Sequence, residues 1–375
     1  MRSQDNRKHI VFLSSQIAPF QAELANAINE QGKIRYTVLF LKARNDRPKY
    51  WLEISQVLDA NTRSVPSGID EHAAKKWALE QLDELKPDAI LVGGIRGPQV
   101  AAALHYKRNE RRKVWCGYWM EQPLVRANGL MKMARFIDYI YRLSRLDFVI
   151  GIGDRAHAYY RLGNRNAHFV PYGSDLSICL KSELPKKDNE KMKFLFSGGL
   201  HPRHNFQLIM EGFQKLLAAK GPCFELIISG DGPEQKIIDT YCNNNPELKK
   251  TIRYERVFNR WQDRLNPFLE SDVFIYPTQH AGWGIVVPEA MAAGLAVISS
   301  DKAEASRYLI DHERNGMIVN EEIDDFTNCL MRCIDNPAWV SNLGIEARKS
   351  ALRCHAPYVA EQLTYTLRIA TNGKI

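Results

Sequence analysis

No run in this sequence approaches the roughly 18 consecutive apolar residues that a membrane-spanning helix requires, so no transmembrane segment is expected. The seven cysteines, Cys116, Cys179, Cys223, Cys242, Cys329, Cys333 and Cys354, are odd in number and scattered. That argues against a disulfide framework and for reduced thiols in a cytosol. Cys329 and Cys333 stand one helical turn apart. No second Cys-x-x-Cys or histidine pair completes a metal site with them, so they are read as small residues on an apolar helix face. No zinc-finger spacing or RNP motif is present, and nucleic acid is not an expected partner. The first apolar run is not followed by Gly-x-Gly-x-x-Gly; Leu13-Ser14-Ser15-Gln16 stands there instead, which excludes the fingerprint of a dinucleotide-dependent dehydrogenase. Asp-x-Asp is also absent, and with it a common carboxylate pair for holding a divalent cation against phosphates.

What is present fits a globular protein of two ordinary domains: 375 residues, 45% hydrophobic and 25% charged. The N-terminal MRSQDNRKHIVFLSSQ is basic, but its apolar part is short and breaks into polar residues. It reads as a tail feeding a first strand rather than a secretory signal. The net charge of +8 is uneven: residues 1–175 hold 27 Lys and Arg against 18 Asp and Glu, whereas residues 176–375 hold 24 against 25. A basic first half points to an anionic membrane surface or a phosphorylated substrate.

Along the chain, strands and helices alternate twice. In the first half, strands are expected at His9–Ser14, Tyr36–Leu41, Ala89–Val92, Lys113–Trp119 and Phe148–Ile152. Helices are expected at Phe20–Glu30, Glu71–Leu85, Pro98–Arg108 and Leu130–Leu143. A polar stretch, Lys181–Lys193, reads as a linker. The second half repeats the pattern with strands Phe194–Ser197, Phe224–Ser229, Thr251–Tyr254, Val273–Tyr276 and Ala296–Ser299. Its helices are Phe206–Ala218, Pro233–Asn243, Gln262–Glu270 and Pro288–Ala293. Such alternation predicts the α/β class: two doubly wound, Rossmann-like domains, each a parallel sheet covered by helices, facing a central cleft. The expected division is 1–180, 181–355 and a C-terminal helix, 356–375, packing back on the first domain.

Three segments of the second half carry chemistry. Phe196-Ser197-Gly198-Gly199-Leu200-His201-Pro202-Arg203-His204-Asn205 is strand, glycine turn and helix start, a place where backbone can approach a phosphate closely. Ser229-Gly230-Asp231-Gly232-Pro233 is a second glycine turn, which by itself reads as an ordinary well-made turn rather than a ligand loop. The most specific stretch is Asp272–Gly294: a buried strand, the loop Gly282-Trp283-Gly284-Ile285, then a helix with Glu289 in its first turn. Glu289 either complements the helix dipole or accepts the hydroxyls of a ribose.

With these residues the chain resembles glycosyltransferase family 4. That family carries a glycine–arginine–leucine loop with a nearby lysine, a Gly-Asp-Gly-Pro turn, and a Glu-x7-Glu segment followed by Ala-Met-Ala-x-Gly. This chain has Gly230-Asp231-Gly232-Pro233 and Glu289-Ala290-Met291-Ala292-Ala293-Gly294 at the family's spacing. The joint Val170-Pro171-Tyr172-Gly173-Ser174-Asp175 is similar as well, and the resemblance covers roughly residues 190–360. There are three departures: the family's first Glu falls on Ala281, its phosphate-binding Arg on Gly199, and its Lys on His204.

The resemblance implies the GT-B fold and a retaining, hexosyl-type transfer from a nucleotide-sugar such as a UDP- or GDP-sugar, with no other cofactor and no metal. The leaving diphosphate would itself help to deprotonate the acceptor. Implied donor-binding residues are Gly198, Gly199, Gly230, Asp231, Gly232, Pro233, Gly282, Trp283, Gly284, Ile285 and Glu289, with Glu289 on the ribose. Arg203 and His204 are expected to take over the diphosphate charge, with Arg96 of the first domain as the competing cation. Glu121, in Trp119-Met120-Glu121-Gln122, occupies about the place of a functional histidine of the family. Ser15, Gln16, Phe20 and Arg96 are the implied acceptor-binding residues. The acceptor is expected to be a glycan, a lipid-linked sugar or a small molecule, in surface polysaccharide or glycoconjugate synthesis.

The segment Arg126–Arg145 interleaves Arg126, Lys132, Arg135, Arg142 and Arg145 with Leu130, Met131, Met133, Ile137 and Tyr141. It fits a helix lying on an anionic leaflet or one with its apolar side in the core. A cytoplasmic protein, peripheral on the inner face of the plasma membrane, is the expected location. Two other readings share this architecture: a degenerate relative serving as a binding subunit, and a sugar-nucleotide epimerase. Donor hydrolysis or transfer by the pure chain separates the first; a nucleotide site with no acceptor requirement would mark the second.

Overall fold

The structure is a computed structural model that describes residues 6–15, 18–41, 61–66, 68–94, 96–110, 113–122, 128–183, 191–255 and 261–375. The chain forms two compact units, Met1–Asp175 with Cys354–Ile375, and Leu176–Arg353. Each is a parallel-sheet, Rossmann-like α/β domain, as the alternation of the sequence predicts.

The first unit holds strands β1 (His9–Ser14), β2 (Arg35–Phe40), β3 (Thr62–Ser64), β4 (Ala89–Gly93), β5 (Trp115–Glu121), β6 (Phe148–Ile152) and β7 (Ala167–Phe169). They form one sheet in the order β3-β2-β1-β4-β5-β6-β7, parallel at every pairing. Every residue of β1 is buried, as a strand covered by helices on both faces requires. Val11, Leu13, Leu39, Ile90, Val92 and Val149 form the centre of the core. Helix Glu71–Leu85 starts where the Asp70 carboxylate accepts from the Ala73 amide, and helices Pro19–Glu30 and Pro98–Asn109 carry proline in their first turn. The last helix, Ala356–Ala370, belongs to this unit and packs on Pro19–Glu30. Gln31 donates to the Pro357 carbonyl (2.7 Å) and Lys33 pairs with Glu361 (3.3 Å).

The second unit holds β8 (Met192–Ser197), β9 (Phe224–Ser229), β10 (Ile252–Glu255), β11 (Val273–Tyr276), β12 (Ala296–Ser299) and β13 (Met317–Ile318). Their order is β10-β9-β8-β11-β12-β13, again parallel. Two expected helices differ. The one expected from Pro233 begins at Gln235, because the Glu234 amide is bonded to the Leu200 carbonyl (3.0 Å) instead of starting a helix. The one expected at Gln262–Glu270 splits into a 3-10 turn, Trp261–Leu265, and a single turn, Asn266–Leu269, with Pro267 near its start. Strands β3, β7 and β13 carry only two or three residues each, too few for a periodicity to announce them. Cys329 and Cys333 are buried, in keeping with core roles.

Candidate functional site

Each sheet reverses its strand order at one point, between β1 and β4 and between β8 and β11. In open parallel sheets the carboxyl ends of the strands flanking that point are where ligands bind. Most of the residues singled out from the sequence sit at these two places.

In the second unit, β8 runs into Gly198-Gly199 and β9 into Gly230-Asp231-Gly232. The two loops lie back to back: the Leu200 amide donates to the Asp231 carbonyl (2.7 Å) and the Gly198 amide to the Ser229 carbonyl (2.9 Å). A Cβ on Gly230 would stand 2.0 Å from the Gly198 carbonyl oxygen, and one on Gly232 would stand 2.5 Å from that of Leu200. Both glycines also have positive φ, 142° and 152°. They are therefore required for one loop to brace the other, and Gly198-Gly199 is partly exposed. Asp231 and Pro233 are exposed.

After β8, Pro202–His204 forms a 3-10 turn. It is pinned to the end of β11, because the Arg203 carbonyl accepts from the Gln279 amide (2.7 Å) and from Thr278 Oγ1 (3.0 Å). His204 is 2% exposed, with Nδ1 3.2 Å from Thr278 Oγ1 and Nε2 accepting from Arg203 Nε (3.3 Å). Burial first, then the charge of Arg203 and the nearby His201, pulls its pKa down to about 3. The ring is neutral near pH 7, so His204 is not the second cation expected from the sequence. Arg203 is exposed and makes no ion pair among the described residues. It remains as a cation beside the glycine loop.

The segment after β11 turns inward. Ala281 is buried, bonding through its amide to the Lys302 carbonyl (3.1 Å). Trp283 is buried at 2% exposure against Tyr308, with ring centroids 5.9 Å apart. Its indole therefore packs in the core of the loop, while Gly282 and Gly284 have only backbone to offer a ligand. Glu289, in the first turn of helix Val286–Ala293, is 2% exposed. Its Oε1 accepts from Arg264 Nη2 (2.8 Å) and Nε (3.1 Å). Arg264, which no motif singles out, lies 25 residues away on the 3-10 turn Trp261–Leu265. The pair gives a buried carboxylate two donors and fixes its direction.

In the first unit, the ends of β1 and β4 open on a cavity of about 390 Å³, lined by Ser15, Gly93, Gly94, Arg96 and Gln99 together with Asp70 and Glu71. Gln99 is 3% exposed. Its Nε2 donates to the Arg96 carbonyl (2.9 Å), and its Oε1 has no donor among the described residues. The Arg96 guanidinium pairs with Asp138 (2.7 Å), which also binds Arg142 (2.9 Å). Arg142 and Arg96 hold the Asp138 carboxyl below the usual range. Arg96 thus makes an exposed surface pair beside this cavity. Gln16 lies outside the described residues. Phe20 packs on Tyr172 (4.9 Å), which meets Trp119 (5.8 Å), so it closes the edge of an aromatic core. Glu121 ends β5, and its carbonyl accepts from the Tyr160 hydroxyl. Tyr160 continues through Tyr139 (3.4 Å) to Tyr118 (2.9 Å), a buried chain of phenols whose ionisation burial suppresses.

Tyr139 belongs to helix Gly129–Ser144, where it and Leu143 are the buried residues. Arg126 lies outside the described residues. Leu130 (81%), Met133 (56%), Ile137 (60%) and Tyr141 (61%) are exposed, and their spacing puts them on one stripe. Lys132, Arg135, Arg142 and Arg145 are exposed as well. Tyr139 and Leu143 thus pack in the core, while a second apolar stripe lies at the surface. No helix among the described residues is long and apolar enough to cross a membrane.

Residues 191–336, all within the second unit, match the family model described as "Glycosyl transferases group 1". An uncharacterized glycosyltransferase of Haemophilus influenzae is 23% identical over 84% of this chain and 85% of its own length. A UDP-Gal:alpha-D-GlcNAc-diphosphoundecaprenol alpha-1,3-galactosyltransferase of Escherichia coli is 26% identical over 44% of this chain and 45% of its own. Among solved structures, HepE of Anabaena in complex with UDP superposes with a TM-score of 0.74 at 14% identity, covering 96% of this chain and 100% of that one. The same protein has been solved with UDP-glucose. The second unit thus matches a group 1 glycosyltransferase domain, and both units have the Rossmann-like, parallel-sheet fold of GT-B glycosyltransferase structures.

Proposed function

We propose that this chain is a retaining, metal-independent glycosyltransferase that moves a hexose from a nucleotide-sugar to a hydroxyl of a lipid-linked or glycan acceptor. The observation that carries the reading is the end of the β8–β11 region: a partly exposed glycine loop, a cation without an ion-pair partner among the described residues (Arg203), and a buried, oriented carboxylate (Glu289) at a helix start. These are the parts needed to hold a diphosphate on one side and a ribose on the other. The group 1 match over the same residues supports it, as do the nucleotide-sugar named for the Escherichia coli relative and the UDP bound to HepE.

The acceptor binds the first unit in this reading. Its hydroxyls are met by Ser15, the Gln99 carbonyl oxygen and the carboxylates of Asp70 and Glu71, with Glu121 at the neighbouring strand end. Such a lining takes hydrogen-bond donors and suits a neutral sugar. The exposed stripe Leu130–Tyr141 with its flanking arginines and lysine docks on an anionic bilayer, which places the enzyme where lipid-linked acceptors are found. The test is transfer by the pure chain from radiolabelled UDP- or GDP-hexoses to lipid-linked acceptors, with and without excess EDTA. Transfer that survives EDTA is expected. Loss with EDTA and rescue by Mg²⁺ or Mn²⁺ contradicts metal independence; donor binding without hydrolysis or transfer contradicts catalysis.

A further inference from the structure

We propose that His201 is a catalytic residue that, with Arg203, grips the leaving diphosphate. This rests on the nucleotide-sugar reading above and adds to it a group that reading does not contain. In the transfer, the bond between the anomeric carbon and the diphosphate oxygen breaks and its electron pair stays on that oxygen. The acceptor oxygen bonds to the anomeric carbon and its proton passes to the departing diphosphate. Negative charge therefore grows on the diphosphate, and fixed positive charge there lowers the barrier.

Most of the cations around the switch point of the second unit are already committed. Arg264 is held by Glu289 (2.8 Å), and Lys302 (3.0 Å) and Arg307 (3.4 Å) by Asp301. His204 is buried and neutral. Arg203 remains as an exposed cation, with the exposed His201 beside it as a ring N–H donor. The geometry at the glycine loop selects His201. A Cβ built on Gly198 would meet nothing nearer than Phe196 at 3.9 Å, so that face of the loop is open. A Cβ on Gly199 would stand 2.8 Å from Cδ2 and from Nε2 of His201. The imidazole thus fills the volume that a side chain at 199 would use, next to the open face. The turn that carries it is rigidly tied: the His201 amide donates to the Gly199 carbonyl (2.9 Å), and the His204 amide to that of His201 (2.9 Å).

The experiment is calorimetric titration of UDP with UMP, and of GDP with GMP, into the full chain and its variants, followed by turnover with the matching nucleotide-sugar. His201→Gln is expected to weaken the diphosphate roughly tenfold, with little change for the monophosphate, and to lower turnover by at least as much. The double variant Gly199→Arg/His201→Gly, which puts a guanidinium into the vacated space, is expected to recover most of the diphosphate affinity. Thermal unfolding checks that each variant is folded, and His201→Gln at an exposed position decides the matter if the double variant is not. A folded His201→Gln that binds the diphosphate and turns over like wild type overturns the inference while leaving the donor reading intact. A wild-type chain that binds no nucleotide overturns the donor reading itself.

Discussion

The two units share a strand order around their switch points, β2-β1-β4-β5 in one and β9-β8-β11-β12 in the other, yet the loops that leave those strands differ in kind. In the first unit they surround a cavity whose polar groups are a serine, a glutamine carbonyl and two carboxylates, and whose arginine is tied to Asp138. In the second they form two braced glycine loops, with a cation that has no ion-pair partner among the described residues and a buried ion pair nearby. One scaffold therefore presents a surface suited to neutral hydroxyls and another suited to anions. The chemistry lives in the loops and not in the sheets.

The contrast is broken most severely at Glu289. Glu289→Ala removes the carboxylate that Arg264 grips through Nη2 and Nε, and breaking this buried pair costs about 3–5 kcal/mol of stability. Urea unfolding should show this in full, whereas Asp138→Ala, at the exposed pair of the first unit, should cost no more than about 1 kcal/mol. Equal losses would mean that the two pairs do not differ as described.

An effect that is smaller per pH unit is shared by both units. His9 in the first is held down to about 4, by burial first and then by Arg35, and His204 in the second to about 3. Both rings are neutral when folded and take up a proton more readily when unfolded. Stability is therefore full above the ordinary imidazole pKa of about 6.5 and falls as pH drops towards about 4, by up to ~1.4 kcal/mol per pH unit for each ring. His204→Gln should flatten part of this fall; an unchanged profile would contradict the neutral assignment.

The smallest effect on stability, and the largest on location, belongs to the exposed helix of the first unit. Ile137→Glu should change stability by no more than about 0.5 kcal/mol while abolishing co-sedimentation with anionic vesicles. Wild-type binding should weaken with salt, since exposed charges are screened over about 8 Å at physiological ionic strength. A wild-type chain that ignores vesicles at low salt would leave that helix for another partner.

The sheets were legible in the sequence because their strands are short apolar runs separated by helical periods: β1, β6, β9, β11 and β12 fall at the residues expected. The glycine loops and Glu289 were legible because turns and helix starts demand particular residue types. The partnerships were not. Arg264 meets Glu289 across 25 residues, and Thr278 meets His204 across 74, distances at which spacing carries no signal. The burial that neutralises His204 and the ring of His201 over Gly199 are likewise products of tertiary packing. The exposed side of helix Gly129–Ser144 had two readings in the sequence, because its periodicity shows an apolar stripe without showing what covers it.

The central claim, that the second unit binds the nucleotide of a sugar donor through Glu289, is tested most directly by titrating UDP and GDP into the wild-type chain and into Glu289→Gln, with thermal unfolding to verify the fold. A hydrogen bond to a charged group contributes about 1.5–3 kcal/mol. The account therefore predicts that one nucleoside diphosphate binds wild type and binds the folded variant at least roughly tenfold more weakly. Equal affinity in a folded Glu289→Gln, or no nucleotide binding to wild type, would contradict it.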